Sequence, residues 1–310
     1  MNKCFGCYLD FEREGFHEAC SKKIFHTSAP PKLETLSSEL ENHARIFIGN
    51  RHTVTGVQRK LSLHLDPKED HRFTIIGAIG GNFILKPPSD EYEELPELED
   101  VCMHLGSIAG LSVAPHCLIP MLDGKLAYIT RRFDREKSKK YALEDACQLS
   151  GLLTEGKYRS SHERLAQVIQ RYSSFVGDDL LRLFELTLFS FVTGNADMHL
   201  KNFSLLRNPK GHYRLSPAYD LVPTRLILSA KEDPEELALN LNGKKSRFKR
   251  EDFIYYGQYM NIPEKVIDRT FERFVKKFPD MLTMIEKSFL SDEKKEEFTL
   301  LLKERYSRIT

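Results

Sequence analysis

The chain has 310 residues and a formal net charge of +1, from 46 basic and 45 acidic side chains. That length suffices for one large bilobal domain or two ordinary ones, and the near balance supplies no global attraction for nucleic acid or an anionic membrane. No uninterrupted apolar run reaches membrane length, the nearest (residues 180–192) being broken by Arg182 and Glu185; no basic stretch followed by an apolar one opens the chain, so a cytoplasmic protein without membrane contact is expected.

The chain opens with Cys4-Phe5-Gly6-Cys7 and then His17-Glu18-Ala19-Cys20, that is, C-x-x-C followed by H-x-x-C. Zinc takes four soft or borderline ligands in a tetrahedron, and an x-x spacing lets both thiolates of a tight knuckle reach one ion. Gly6 suits the knuckle turn, and His17 and Cys20 sit one helical turn apart at the start of a helix. The pattern predicts a small zinc-ribbon-like module over residues 1–35, linker included, with Cys4, Cys7, His17 and Cys20 holding a structural Zn²⁺. Reduced cysteines in a small core are the competing reading. Cys102, Cys117 and Cys147 lie in apolar surroundings and read as small buried hydrophobes.

Residues 27–36, with Pro30-Pro31, read as a linker, and 39–48 as a weak helix or strand. Thr53-Val54-Thr55-Gly56-Val57-Gln58-Arg59-Lys60 then enters an alternating strand at Leu61, Leu63 and Leu65. A turn at Asp66-Pro67 leads to a second strand over 73–76. Kinases cover the ATP phosphates with the backbone N–H groups of a glycine-bearing loop between their first strands. Two β-favouring threonines in a strand are the plainer reading of the same residues. Phe83-Ile84-Leu85-Lys86 is a strand ending in lysine, the kinase device for holding α- and β-phosphates. A helix follows, with Pro96 in its first turn, Leu98, Val101, Leu105 and Ile108 on one face, and Gly110 at its end. Glu99 is either the partner of Lys86 or a glutamate favoured by the helix dipole. Residues 117–121 and 125–130 flank Leu122-Asp123-Gly124, a hairpin signal, and Arg131-Arg132-Phe133-Asp134 leaves the last strand.

From residue 137 onward the pattern is helical. Residues 180–192 read as the most buried helix; Val266, Ile267, Phe271, Phe274 and Val275 mark a later amphipathic one, and 289–306 another. The cluster Lys244-Lys245-Ser246-Arg247-Phe248-Lys249-Arg250 reads as solvated loop surface, an acidic partner or tRNA being the alternative. Between these helices lies Gly194-Asn195-Ala196-Asp197-Met198-His199-Leu200-Lys201-Asn202-Phe203-Ser204, with a short hairpin (204–206 with 213–215) and then Tyr219-Asp220. Phosphoryl transfer needs a carboxylate to take the proton of the attacking hydroxyl and oxygen ligands for Mg²⁺. Protein kinases supply these as D-x-x-x-x-N followed by a second Asp after a short hairpin. Asp197, Asn202 and Asp220 have that order and spacing, with His199 orienting the loop and Lys201 available to neutralise charge. A turn residue at Asp197 and a turn former at Asn202 are the bland reading.

Residues 194–204 with Tyr219-Asp220, preceded in order by residues 53–60, 83–86 and Arg132-Phe133-Asp134-Arg135, resemble the motifs of the HipA-type serine/threonine kinases, the toxins of bacterial toxin–antitoxin pairs. The resemblance covers residues 45–310. It implies ATP and Mg²⁺ as cofactors, and a nucleotide site of Lys86, Thr55, Gly56, Gln58, Thr130, Arg132, Phe133 and Asp134. Asp197, Lys201 and His199 would be catalytic, and Asn202 and Asp220 would hold magnesium. It implies autophosphorylation at Thr53 or Thr55, where the family commonly has serine. Arg131 stands where the family often has an acid. The implied substrate is an aminoacyl-tRNA synthetase. The implied partner is a helix-turn-helix antitoxin, through which alone DNA would be met. Its length makes the chain similar to the short HipT-type branch, in which a separate small protein supplies an N-terminal subdomain. The expected fold is α+β, bilobal and protein-kinase-like, with a small β-rich N-lobe and hinge over 36–133 and a mostly helical C-lobe over 134–310. Asp197-x-His199-x-x-Asn202 is also similar to the loop of phosphoinositide kinases, which keeps a lipid or small-molecule kinase open. A nucleotide-binding assembly module without catalysis is the non-enzymatic alternative.

Overall fold

The computed structural model describes residues 2–13, 15–40, 60–65, 72–77, 81–136, 139–229 and 231–310. Thr53, Thr55, Gly56 and Gln58 of the expected phosphate loop, residues 41–48 and the Asp66-Pro67 turn lie outside the described residues. Two compact units emerge. One comprises Met1–Val101, Ala114–Phe133 and Lys287–Leu290; the other comprises Cys102–Val113, Asp134–Glu286 and Ser291–Thr310.

The first unit starts with a two-strand ribbon, β1 (Asn2–Lys3) and β2 (Asp10–Phe11), and helix α1 (Glu18–Phe25). Its main body is an antiparallel sheet of β3 (Leu61–Leu65), β4 (Phe73–Gly77), β5 (Phe83–Lys86), β6 (His116–Pro120) and β7 (Leu126–Arg131), in the order β4-β3-β5-β7-β6. Leu61, Leu63 and Leu65 are all buried, as period-two alternation requires. The two central strands, β5 and β7, pair Phe83 with Arg131 and Lys86 with Tyr128. Helix α2 (Leu95–Ile108) contributes its first turns to this unit and the rest to the other. Leu98, Val101 and Leu105 are fully buried, so the apolar stripe read from the sequence is the buried face.

The second unit has a hairpin, β8 (Arg135–Glu136) with β9 (Lys139–Lys140), and a three-stranded antiparallel sheet of β10 (Leu143–Asp145), β11 (Ser204–Arg207) and β12 (Tyr213–Leu215). Its helices are α3 (Ala146–Leu149), α4 (His162–Tyr172), α5 (Val176–Val192), α6 (Arg250–Tyr259), α7 (Glu264–Lys287, ending at the unit boundary) and α8 (Asp292–Ser307). Helix α5 is the spine. Leu183, Phe184, Leu188, Phe189 and Phe191 are fully buried, Phe184 against Tyr256 and Phe271, Phe191 against Phe248 and Phe253. Each such side chain contributes roughly 2–3 kcal/mol of transfer free energy.

The two charges that interrupt α5 are structural. Arg182 donates to the carbonyls of Leu215 (2.7 Å) and Ser216 (3.2 Å), and Glu185 pairs with Arg273 at 2.7 Å. Buried Asp179 accepts from the Leu215 N–H at 2.7 Å and the Ser173 hydroxyl at 2.6 Å. The helix thus grips the end of β12, close to Asp220 in sequence. No helix among the described residues is long and apolar enough to cross a membrane.

Two expectations shift. The last helix starts at Asp292 rather than 289, because the Ser291 hydroxyl caps it by accepting from the Lys294 N–H at 3.3 Å; Phe289 belongs to the first unit and stacks on Phe5. The basic cluster is not simply solvated: Lys244 pairs with Asp252 (2.7 Å), Lys245 with Glu235 (3.0 Å) and Arg250 with Asp268 (3.5 Å). Lys244, Lys245 and Arg250 are thus matched within the chain, while Arg247 and Lys249 are exposed.

Candidate active site

In the first unit, Lys86 ends β5 and is buried. Its ammonium donates to both carboxylate oxygens of Glu99, at 2.8 and 2.9 Å, and lies 5.6 Å from the centre of the Tyr128 ring. Glu99 is the Lys86 partner that the sequence left open. Burying such a pair is costly unless the geometry is good, and a two-point contact from a strand to a helix is good geometry. Thr130, on β7, gives its hydroxyl to the Pro115 carbonyl at 3.0 Å, and the Arg132 N–H donates to the Asn82 carbonyl at 2.8 Å. Thr130 therefore faces its own sheet through that hydroxyl. Arg131, the departure from the family pattern, donates to the Lys23 and Ile24 carbonyls at 3.2 and 3.4 Å and contacts His26. It serves the end of α1. Phe133 is half-buried, and Asp134, buried in the second unit, lies 3.6 Å from Arg135.

In the second unit, α5 stops where the sequence says it must. The Gly194 N–H bonds the Phe191 carbonyl (3.2 Å) and the Asn195 N–H the Ser190 carbonyl (2.8 Å), which is a Schellman motif with Gly194 left-handed at φ +68°. A Cβ on Gly194 would stand 2.7 Å from Leu301 Cδ2 and 3.0 Å from Arg225 Cβ, so glycine is required by both backbone and space. The loop that follows is buried and tied down. Thr224 accepts the Ala196 N–H at 2.8 Å and gives its hydroxyl to the Gly194 carbonyl at 3.3 Å. The Asp197 N–H donates to Asn195 Oδ1 (3.2 Å), and Asn202 Nδ2 donates to the Asp197 carbonyl (3.1 Å). The loop therefore presents the Asp197 carboxylate, while the Asn202 amide has spent its nitrogen and keeps Oδ1 for a ligand.

Asp220 follows β12 and joins this loop. Its backbone is left-handed at φ +59°, a conformation costing a non-glycine residue about 1 kcal/mol or more and concentrated at functional sites. The preceding Tyr219 hydroxyl donates to the Lys201 carbonyl at 2.8 Å and shares a 2.6 Å hydrogen bond with Ser204. Burial pushes the Asp197 carboxyl above the usual range, the Asp220 charge pushes it the same way, and a 2.5 Å hydrogen bond from the Tyr158 hydroxyl opposes both. The Asp220 charge is thus near enough to act on the Asp197 carboxyl. Two carboxylates and an amide oxygen are the oxygen donor types that Mg²⁺ takes.

His199 packs edge-on against Tyr158 at 5.1 Å, and burial holds its imidazole down to about 4, so it is neutral at physiological pH. Its Nδ1 is buried without a partner among the described residues. Lys201 reaches Asp145 at 3.2 Å. Asp145 is also the N-cap of α3, where it closes a capping box with Gln148. Three contributors carry no local sequence signal. Tyr158 is 39 residues upstream of its partner Asp197. Thr224 and Asp145 contact the loop from separate elements.

At the N-terminus, Cys4, Cys7, His17 and Cys20 come together: one ligand atom from each lies within 4.8 Å of the others. Cys7 Sγ is 3.3 Å from His17 Nδ1, and Cys4 Sγ accepts the backbone N–H groups of Gly6 (3.4 Å) and His17 (3.3 Å).

A family model for the HipA-like C-terminal domain matches residues 52–282. The kinase candidate Y4dM of Sinorhizobium fredii is 28% identical over 263 residues, covering 81% of this chain and 62% of that protein, so the chain spans less than two thirds of this relative. The serine/threonine-protein kinase toxin HipA of Shewanella oneidensis is 30% identical over 196 residues, 56% of this chain and 43% of the toxin. Among solved structures, Shewanella oneidensis HipA, in its complex with HipB and operator DNA, superposes with a TM-score of 0.69 at 21% identity, covering 89% of this chain and 71% of that one. The proinflammatory kinase CtkA of Helicobacter pylori gives 0.56 at 18% identity, covering 80% and 93%. These likenesses give the α+β kinase-like fold, and with the family model spanning most of its length, the chain belongs to the HipA-like C-terminal domain family.

Proposed function

We propose that this chain is an ATP- and Mg²⁺-dependent serine/threonine protein kinase and the toxin of a toxin–antitoxin pair. The observation that carries the reading is the loop of the second unit. Asp197, Asn202 and Asp220 stand on a buried, doubly pinned scaffold and offer proton acceptance and oxygen ligation. Bound Mg–ATP would supply the phosphoryl group and neutralise its charge. Asp197 takes the proton of the acceptor hydroxyl, helped by a carboxyl of raised proton affinity and oriented by Tyr158. Asn202 Oδ1 and the Asp220 carboxylate hold the metal. Lys86, positioned by Glu99, holds nucleotide phosphates, with Thr55, Gly56, Gln58, Thr130, Arg132, Phe133 and Asp134 around the nucleotide. Neutral His199 shapes the loop, and Lys201, held by Asp145, adds positive charge beside it.

The finer reading is an aminoacyl-tRNA synthetase as substrate, autophosphorylation at Thr53 or Thr55 as self-inhibition, and a helix-turn-helix antitoxin as partner, with action in the cytoplasm. Support for the partner comes from the Shewanella oneidensis relative, which is seen with HipB and operator DNA. A separate small protein in place of an N-terminal subdomain belongs to the same proposal. The test is phosphosite mapping after incubation with ATP, Mg²⁺ and a panel of purified synthetases. Phosphate on one synthetase and on Thr53 or Thr55 is expected. Phosphate on lipid vesicles or a small metabolite alone would replace this reading with the lipid or small-molecule kinase.

A further inference from the structure

The N-terminal cysteine module lies outside the phosphoryl-transfer machinery, and its geometry has a direction. Two thiols come from the Cys4–Cys7 knuckle, one imidazole and one thiol from the start of α1, and all four ligand atoms lie within 4.8 Å of one another. Tetrahedral zinc with bonds of about 2.3 Å to sulfur and about 2.0 Å to nitrogen puts its ligand atoms roughly 3.5–3.8 Å apart, which a small contraction of this cluster reaches. The cysteines are free rather than bridged. Gly6 is where the knuckle meets α1: a Cβ there would be 3.0 Å from Cys20 Cβ and 3.3 Å from Ile24 Cδ1. The backbone N–H groups of Gly6 and His17 already point at Cys4 Sγ, the arrangement that stabilises a metal-bound thiolate.

What the knuckle presents is Tyr8. Directly after Cys7 the backbone turns left-handed at Tyr8 (φ 62°), and the ring is buried with its hydroxyl 2.5 Å from Asp100 Oδ2. Asp100 Oδ1 meets His116 of β6 at 2.6 Å. Asp100 is the next residue after Glu99, the partner of Lys86. Phe5 and Tyr8 also pack on Phe289, Phe25 of α1 packs on Phe73 and Phe83 of the sheet, and Arg131 holds the end of α1.

We propose that Cys4, Cys7, His17 and Cys20 form a structural Zn²⁺ site whose task is to hold Tyr8 against Asp100 and so fix the first turns of α2, including Glu99. Binding takes up one Zn²⁺ and releases a proton from each thiol that is not already ionised, while His17 binds as the neutral imidazole through Nδ1. The site has no open position, so it is not catalytic. This proposal does not rest on the kinase reading, because metal content and helix protection are measured without phosphoryl transfer.

The test uses the full chain. Elemental analysis of protein purified without chelator should give close to one zinc per chain, and cobalt(II) added to chelated protein should give the visible absorption of tetrahedral thiolate-bound cobalt. His17→Cys keeps four ligands and should keep zinc; Cys20→Ser should lower zinc affinity at least tenfold. Hydrogen exchange over residues 95–101 should quicken when zinc is removed, and also in Tyr8→Phe, which keeps its zinc. Less than a tenth of an equivalent of zinc in wild type after dialysis against Zn²⁺, or no cobalt spectrum, would overturn the site. Exchange at 95–101 indifferent both to zinc removal and to Tyr8→Phe would overturn the task assigned to it.

Discussion

At the residue scale the site turns on how Asp197 is held. Its carboxyl is raised by burial and by Asp220 and lowered by the Tyr158 hydroxyl, which favours the ionised form. The working base is the ionised carboxylate, so activity falls as pH drops through this raised value. Tyr158→Phe removes the donor, so the acidic limb of the kcat–pH profile should move to higher pH; a limb that stays put or moves lower would contradict the assignment. Asp197→Asn should lower kcat by about 10²–10⁴-fold with little change in nucleotide affinity, read by steady-state kinetics and nucleotide titration. Tyr219→Phe should cost about 1 kcal/mol in urea unfolding, because its hydroxyl serves both Ser204 and the Lys201 carbonyl.

At the element scale the loop depends on how α5 ends. Gly194→Ala would force a side chain into a left-handed position facing Leu301 and Arg225. A loss on the order of 2 kcal/mol is expected, seen as a lower urea midpoint with unchanged slope. Elements of this kind were legible in the sequence because their signals are local: the glycine after an apolar helix, the alternation of Leu61, Leu63 and Leu65, the stripe on α2, and the paired spacings of Cys4, Cys7, His17 and Cys20. What escaped is long-range. Tyr158 meets Asp197, Thr224 pins residues 194–196, and Asp145 takes Lys201, none within a helical turn or a strand pair that periodicity reveals. The partners of the α5 charges are long-range too: Arg182 and Glu185 read as breaks in an apolar run, and the Leu215 carbonyl and Arg273 that receive them come from distant elements.

At the scale of the whole molecule, stability should depend on pH through two buried imidazoles. Burial holds His162 down to about 3 and His199 to about 4, against an unfolded value near 6.5. Between those values the unfolded chain binds more protons than the folded one, so stability falls as pH decreases from about 6.5 toward 4. Thermal melts across that window should show it, and His162→Gln should flatten the slope; an unchanged slope would remove His162 as its source. Below that window carboxylates add their own loss, so the comparison belongs above pH 4.

The most direct measurement is the intact mass of the purified chain, and the ADP it forms, after incubation with ATP and Mg²⁺ beside Asp197→Asn and Lys86→Met. Phosphoryl transfer in the wild type, to itself or to an added protein hydroxyl, and its loss in both variants with folding intact, is the predicted result. Transfer that survives Asp197→Asn at the wild-type rate, or nucleotide binding by the wild type with no transfer to any acceptor, would contradict a kinase built on this loop.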